Sequence, residues 1–149
     1  MKGLLILIEK QKRCLTLLEG SRALFSCPIA LGAAPAGPKE RQGDGRTPEG
    51  DYFVCLKKTG KYGPSLGVSY PSEADARRAG APEELAAYIR QRAQRKERPP
   101  WGTALGGEIY IHGGGTQSDW TAGCIALSDA DARALWELVP LGTEIRILP

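Results

Sequence analysis

The stretch IYIHGGGTQSDWTAGCIALSD, from Ile109 to Asp129, contains the only histidine of the chain, His112, and one of its four cysteines, Cys124. It opens on the alternating apolar pattern of a β-strand and passes through three consecutive glycines before a second apolar run. The residues that follow, DADARALWELV, form a helical pattern that Ser128 precedes as a predicted N-cap in a capping box. The stretch therefore belongs to the sheet region of the predicted fold.

The sequence on both sides of this stretch carries further strand patterns separated by turns. The predicted strands are residues 4–9, 14–18 and 23–31, then DYFVCLK, SLGVSYP, EIYIH and, at the C-terminus, GTEIRIL. Seven or so short strands with two or three short helices predict one mainly β domain over residues 1–149. We expect this domain to be a β-sandwich or barrel.

Two helical segments and one long irregular loop interrupt the strands. SEADARRAG is predicted to begin at a serine cap, Ser72. PEELAAYIRQRAQRKE begins at Pro82 and repeats apolar residues at a helical spacing, which places Leu85, Tyr88 and Ile89 on one face. The segment GAAPAGPKERQGDGRTPEG is too rich in glycine, proline and charge to be regular. Loops of this length in compact domains are usually functional or disordered.

The length, composition and charge of the chain exclude some classes of function. A chain of 149 residues with a net charge of +3 is the size of one globular domain and is only mildly basic. The basic run RQRAQRKER, from Arg90 to Arg98, has no aromatic residue between its charges, so we expect a solvated helix face and no nucleic-acid partner. The N-terminal apolar run of MKGLLILIEK is too short for a signal peptide or a membrane span. We expect a monomer without a membrane span.

The four cysteines do not form a metal-binding pattern. They lack C-x-x-C spacing, and a single histidine does not complete a zinc ligand set with them, so no metal site is predicted. CLTLLEGSRALFSC has the pattern of a hairpin with Gly20 and Ser21 at its tip, which places Cys14 opposite Cys27. Such a pair is either a cross-strand disulfide or two reduced, half-buried thiols.

His112 and Cys124 are candidates for a catalytic pair. A cysteine becomes a nucleophile when a neighbouring imidazolium or a helix N-terminus depresses the pKa of its thiol. Gly123 permits close approach of backbone and substrate, and the amides around such a turn point at a developing oxyanion. The glycines after His112 offer a carbonyl to one ring nitrogen, which leaves the other for the thiol. Alternatively, both residues are structural, and spacing alone does not decide between these readings.

The segment HGGGTQSDWTAGCIAL resembles the active-site signature of the L,D-transpeptidase catalytic domain, or YkuD, family, in particular a subgroup with the segment DWTxGCIAL. The resemblance extends over nearly the whole chain, from Leu4 to Leu148. Its other matching segments are GPKERQGDGRTPEGDYFV, SLGVSYPSEADARRAG, WGTALGG and LWELVPLGTEIRIL. The resemblance implies that Cys124 is the nucleophile, His112 its base and the Gly113 carbonyl the group that orients the imidazole. It also implies that Thr121 takes the family's Ser/Thr position.

The amides of Gly123 and Cys124 are the candidates for the oxyanion site. Ala126 stands where many relatives have an arginine placed to meet an anionic group of the substrate. Arg46 or Lys39, from the long loop, is a candidate for the missing positive charge, and the alternative for each is a plain surface residue. We also expect Tyr70 and Trp120 to contact substrate.

The function that the resemblance implies is a cysteine-dependent acyl transfer on peptidoglycan stem peptides, in cell-wall biogenesis and cell shape, without a cofactor or metal. The first alternative is a hydrolase, either an L,D-carboxypeptidase or an amidase-type enzyme acting on a peptidoglycan-linked peptide or protein. The non-enzymatic alternative is a catalytically silent cell-wall-binding module. The resemblance implies the cell envelope, periplasm or extracellular space. Because no signal peptide is recognised, a cytosolic thiol enzyme acting on another peptide stays open.

Overall fold

A computed structural model of the protein describes residues 3–149, and within this range the chain forms eight strands and three helices. The strands are β1 (Leu4–Glu9), β2 (Cys14–Glu19), β3 (Arg22–Pro28), β4 (Gly50–Gly60), β5 (Gly63–Val68), β6 (Tyr110–His112), β7 (Ile125–Ala126) and β8 (Glu144–Leu148). The helices are α1 (Glu73–Arg78), α2 (Glu83–Gln94) and α3 (Asp129–Leu138). The mainly β architecture expected from the sequence is confirmed.

All eight strands form one curled sheet in the order β3-β2-β1-β8-β4-β5-β6-β7. The C-terminal strand β8 pairs in parallel with β1 and antiparallel with β4, so it joins the N-terminal hairpins to the strands that carry the quoted stretch. Both parts of the sheet contribute to the larger of two buried clusters, including Ile6 and Leu17 from one part and Ile111 and Ile125 from the other. The smaller cluster lies between α1, α2 and Leu105. Aliphatic burial therefore holds the sheet in its curled form.

The hairpin of β2 and β3 differs from the predicted register. Glu19 pairs with Arg22 as expected, but the pairing shifts by one residue beyond Leu18. Past this β-bulge Leu15 faces Cys27, whereas Cys14 faces Pro28. Because a one-residue slip moves side chains to the other face, the predicted pairing of Cys14 with Cys27 is wrong. All four cysteines are free thiols.

The helices begin where their caps predict. Ser72 and Asp75 form a complete capping box at the start of α1, and the Ser128 hydroxyl accepts from the Asp131 amide at the start of α3. In α2 the fully buried residues are Ala86 and Ile89, whereas Tyr88 is exposed. In the described part of the chain no helix is both long and apolar enough to cross a membrane.

Candidate active site

Cys124 and His112 project from neighbouring strands on the same face of the sheet. Strands β6 and β7 pair in parallel, with Ile111 beside Ile125 and His112 beside Ala126. Both isoleucines are buried in the core, so the alternate residues point to the opposite face. Extending the register by one residue places Cys124, which directly precedes β7, beside Tyr110, two positions along the sheet from the pair of His112 and Ala126. The sheet thus brings together the two residues that the sequence singled out.

The Cys124 sulfur lies at the start of β6 and is held by backbone groups. The Tyr110 amide donates to Sγ at 3.3 Å, and the thiol points at the Glu108 carbonyl at 3.6 Å. Burial raises the pKa of the Cys124 thiol above its usual value, and the Glu108 carboxylate also raises it, although the Tyr110 amide and the charge of Lys39 oppose this. The surroundings of the cysteine thus favour the thiol over the thiolate.

The His112 imidazole is buried, and a backbone carbonyl engages one of its ring nitrogens. Its Nδ1 lies 2.6 Å from the Gly113 carbonyl, the type of contact expected from the sequence, and this fixes the proton on Nδ1. Burial lowers the pKa of His112 below its usual value, and the hydrogen bond to Gly113 offsets this only in part. Burial at this position thus favours the neutral imidazole over an imidazolium. Among residues 3–149, Nε2 has no hydrogen-bond partner and the sulfur is not bonded to the ring.

Two partly exposed aromatic rings cover the imidazole. Tyr62, in the turn between β4 and β5, stacks on His112 with ring centroids 4.6 Å apart and planes inclined by 16°. Trp120 meets both rings edge-on, at 5.8 Å from His112 and 5.2 Å from Tyr62. The Trp120 indole N–H donates to the Gly115 carbonyl at 3.0 Å, which fixes the ring. This cover buries His112 although it lies on the outer face of the sheet.

The Thr121 hydroxyl hydrogen-bonds to two backbone groups of the turn that leads into Cys124. It donates to the Cys124 carbonyl at 2.8 Å and accepts from the Gly123 amide at 3.0 Å. The Gly123 amide, one of the two oxyanion candidates, is therefore already engaged, and we withdraw it in favour of the Cys124 amide. Gly123 itself has a φ of +141° that side-chain-bearing residues rarely adopt.

The long loop between β3 and β4 packs directly behind this turn. A Cβ atom added to Gly123 would lie 2.8 Å from the Arg46 carbonyl oxygen, and one added to Gly32 would lie 3.1 Å from the Gly123 Cα. Inside the loop, the buried Lys39 ammonium binds the Asp44 carboxylate at 2.8 Å. The loop therefore acts as a rigid backing for the turn that carries the cysteine.

Three residues expected to contact substrate have internal partners instead. Lys39 is buried against Asp44 and the Arg41 carbonyl. Arg46 is half-exposed, but its guanidinium pairs with Glu40 at 2.9 Å. Tyr70 is fully buried, and its hydroxyl donates to the Leu105 carbonyl at 2.7 Å. We therefore withdraw Lys39 and Tyr70 as substrate contacts and no longer assign the missing charge to Arg46, whereas Trp120 stays a candidate.

The structure adds residues to the site that sequence reasoning missed. Tyr62 and Tyr110 contact the imidazole and the sulfur respectively, yet neither belongs to a recognisable catalytic motif. Tyr62 reaches His112 because β4 and β5 form a hairpin whose turn bends over β6. A sequence pattern that predicted both the hairpin and its pairing with β6 would have been needed to find it. Within residues 3–149 no group of His, Cys, Asp and Glu side chains is arranged to hold a metal ion.

This arrangement of sheet, histidine and cysteine can be compared with known proteins. The family model described as "L,D-transpeptidase catalytic domain" (YkuD) matches residues 4–147. The chain belongs to this family. A search of curated proteins found no match.

Solved structures share the fold of this L,D-transpeptidase domain at low sequence identity. The helical cell shape determining protein Pgp2 from Campylobacter jejuni has a TM-score of 0.69 at 22% identity, covering 98% of this chain and 47% of that chain. The L,D-transpeptidase from Xylanimonas cellulosilytica has a TM-score of 0.60 at 18% identity, covering 99% and 61%. One from Mycobacterium smegmatis has a TM-score of 0.59 at 15% identity, covering 99% and 59%. The chain thus spans about half to three-fifths of the length of these proteins.

Proposed function

We propose that the protein is a cysteine acyl transferase acting on peptidoglycan stem peptides, with Cys124 as nucleophile and His112 as general base. The observation that carries this proposal is the placement of the two side chains on one face of adjacent strands. The Nδ1 of His112 is engaged by Gly113, so the lone pair of Nε2 is free to take a proton. Membership of the L,D-transpeptidase family supports the substrate class.

The first half of the reaction forms a thioester. The thiol leaves the Glu108 carbonyl and turns toward His112, and Sγ attacks the carbonyl carbon of the diamino-acid residue while Nε2 takes its proton. The Cys124 amide is our candidate donor to the resulting oxyanion. When the C–N bond breaks, the imidazolium returns the proton to the leaving amine, a D-amino acid. The carbonyl of Gly113 stabilises the imidazolium through Nδ1–H during this step.

The second half of the reaction releases the acyl group. An amine or water attacks the thioester carbonyl, His112 takes the proton of the attacking group, and the C–S bond breaks. The proton then returns to Sγ, which restores the neutral thiol and imidazole. An amine acceptor gives a cross-link, and water gives the hydrolase that we keep as the alternative.

The cellular setting follows from the same proposal. A substrate in the cell wall places the protein in the cell envelope, and the fold shared with a helical cell shape determining protein supports a contribution to cell shape. No second subunit is needed to complete the pair of residues, so we propose a monomer. A wall-binding module without activity would not require the engaged tautomer of His112 or a cysteine on the same face.

The test is incubation with purified muropeptides, with and without an added D-amino acid, and identification of the products by mass spectrometry. We expect loss of the terminal D-amino acid, and exchange or cross-linking if an amine is the acceptor. The Cys124→Ala protein should be inactive but folded, because removing one half-buried sulfur costs little packing. Cys55→Ala is the matched control, since Cys55 is also a half-buried thiol but should leave turnover intact.

A wild-type protein that leaves every muropeptide unchanged would overturn the transferase and the hydrolase together. Binding of muropeptides without turnover would then favour the wall-binding module. Turnover of other peptides alone would favour the cytosolic thiol enzyme.

A further inference from the structure

Two aromatic rings in edge contact lead outward from the Cys124 sulfur. The residue whose amide donates to Sγ, Tyr110, has its ring centroid 5.6 Å from that of Trp101, at an interplanar angle of 77°. The Trp101 indole N–H donates to the Tyr70 carbonyl at 2.9 Å, and the ring lies against Gly107, where any side chain would collide with it. We call the surface made by Tyr110 and Trp101 the aromatic shelf. The aromatic shelf thus begins at the residue whose backbone amide binds the Cys124 sulfur, and its outer ring is held in place by Tyr70.

Each ring of the aromatic shelf carries an exposed cation. The Lys58 ammonium lies 4.8 Å from the centroid of the Tyr110 ring, and the Arg98 guanidinium lies 5.0 Å from that of Trp101. In the described chain neither cation forms a salt bridge, although Arg46 and Lys39 both do. No carboxylate of residues 3–149 therefore lies within salt-bridge distance of either cation.

The strand geometry explains why Lys58 reaches the aromatic shelf. Consecutive residues of β4 point to opposite faces, and Lys57 donates to the Trp136 and Val139 carbonyls at the end of α3. Lys58 therefore points to the face that carries Tyr110. The Glu108 carboxylate, two residues before β6, is a negative charge that acts on the Cys124 thiol and raises its pKa.

We propose that Lys58 and Arg98 bind a free carboxylate of the acyl-donor peptide while the aromatic shelf packs against its aliphatic part. This rests on the proposed function. A peptide cut near its C-terminus brings its terminal carboxylate close to the scissile carbonyl, and thus close to Cys124. A cation held over an aromatic ring keeps its outer side open to an anion. The pair would make the enzyme specific for substrates with a free acid next to the scissile bond.

The direct test is calorimetric binding of a stem tetrapeptide, as free acid and as C-terminal amide, to the Cys124→Ala protein. In this background the Lys58→Gln/Arg98→Gln double variant should bind the acid about tenfold more weakly and the amide unchanged. Arg95→Gln is the matched control, because Arg95 is an exposed arginine at the C-cap of α2, three residues before Arg98. It should bind both peptides as the parent does. Equal loss for acid and amide, or no loss, would overturn the proposal.

A second measurement keeps the inference testable if no stem peptide binds, an outcome that would overturn the proposed function by itself. Iodoacetate and iodoacetamide alkylate the same sulfur but differ in charge. At low ionic strength, we divide the rate of Cys124 labelling by iodoacetate by the rate of labelling by iodoacetamide. This ratio should be about twofold lower in the Lys58→Gln/Arg98→Gln protein, with Cys124 intact, than in the wild type. The ratio should stay constant in Arg95→Gln. An unchanged ratio in the double variant would show that the two cations do not attract anions to this site.

Discussion

Cys124 and His112 project from neighbouring strands, but different contacts hold the two side chains in place. The turn before the cysteine is fixed by backbone, since Gly123 packs against the Arg46 carbonyl and Thr121 bridges an amide and a carbonyl of the same turn. The histidine is fixed by its bond to Gly113 and by the rings of Tyr62 and Trp120, both at the surface.

This difference matches what each residue has to do in the proposed reaction. The backbone of the nucleophile has to stay in place, because small misplacements of reacting groups cost a large part of the rate. The imidazole has to accept and return a proton while substrate enters beside it. The aromatic contacts that hold the ring are worth only about 0.5–1.5 kcal/mol each, so the ring can shift slightly when substrate binds. The cysteine side is therefore built for rigidity and the histidine side for small movements.

The largest effect should come from removing the base on the histidine side. His112→Gln keeps some of the bulk but cannot shuttle a proton, so we expect turnover of muropeptides to fall about 10²–10⁴-fold. Because burial already raises the pKa of the Cys124 thiol and favours the neutral imidazole, the pH midpoint of iodoacetamide labelling should be high in both proteins. A low midpoint in the wild type that rises in the variant would instead show an imidazolium–thiolate pair.

The cysteine side should be sensitive to a single methyl group. In Gly123→Ala the new Cβ meets the Arg46 carbonyl, and the φ of +141° is strained for alanine. Strain of about 1–3 kcal/mol predicts a ten- to hundredfold loss of turnover if it is relieved by moving Cys124. Gly115→Ala is the control, because Gly115 also has a positive φ but nothing lies within 4 Å of its added Cβ. Equal losses in the two variants would mean that the contact with Arg46 is unimportant.

The rings on the histidine side should have a smaller effect that depends on pH. Tyr62→Ala removes a stacking partner, which predicts a two- to tenfold loss of turnover from about 0.5–1.5 kcal/mol. It also exposes the ring, so the lowered pKa of His112 should rise toward 6.5. Since the neutral imidazole is the active form, the acid limb of the pH profile should move to higher pH. Tyr62→Phe should leave both the rate and the profile unchanged.

Substitution of Asp44, in the loop behind the cysteine, should have the smallest effect on turnover but a clear effect on the free energy of unfolding. Burial alone would raise the pKa of Asp44, but hydrogen bonds from Lys39 and from the Glu40, Arg46 and Arg41 amides outweigh this and lower it to about 2. With an unfolded value of 3.8, the ionised carboxylate stabilises the fold above about pH 4 by roughly 2 kcal/mol.

This stabilisation should be lost as the pH falls from 4 to 2. Asp44→Asn should therefore lower the free energy of unfolding in urea at pH 7, and the difference from wild type should shrink at pH 2. Glu40→Gln is the control because its pair with Arg46 is half-exposed, where ion pairs contribute little. A loss in Glu40→Gln as large as that in Asp44→Asn would contradict the assignment.

Much of the fold was predictable because its elements follow local patterns. Alternating apolar residues located the strands, and Ser72 and Ser128 located two helix starts. The register of β2 and β3 was not predictable, because no residue type marks the β-bulge between Leu17 and Leu18. Helical spacing placed Tyr88 and Ile89 on one face of α2 but did not say which residues the fold buries, and in the structure Ile89 is buried while Tyr88 is exposed.

Within the candidate site, the sequence predicted only the central residues His112 and Cys124. His112 and Cys124 lie at the ends of one short stretch, so a single local pattern contains both. Charged residues of the long loop could not be assigned from sequence, because whether Lys39 meets solvent or Asp44 depends on how the loop folds. Tyr62 and Lys58 come from a hairpin about fifty residues away, and only the pairing of β5 with β6 brings them to the site.

The most direct test of the account is the mass of the protein itself during reaction. An acid-quenched reaction of wild-type protein with a stem tetrapeptide should contain a species heavier by the acyl fragment, which peptide mapping assigns to Cys124. The adduct should be absent from Cys124→Ala and should form far more slowly in His112→Gln. Product formation at the wild-type rate by the Cys124→Ala protein, or an adduct on Cys14, Cys27 or Cys55 in its place, would contradict the proposed mechanism.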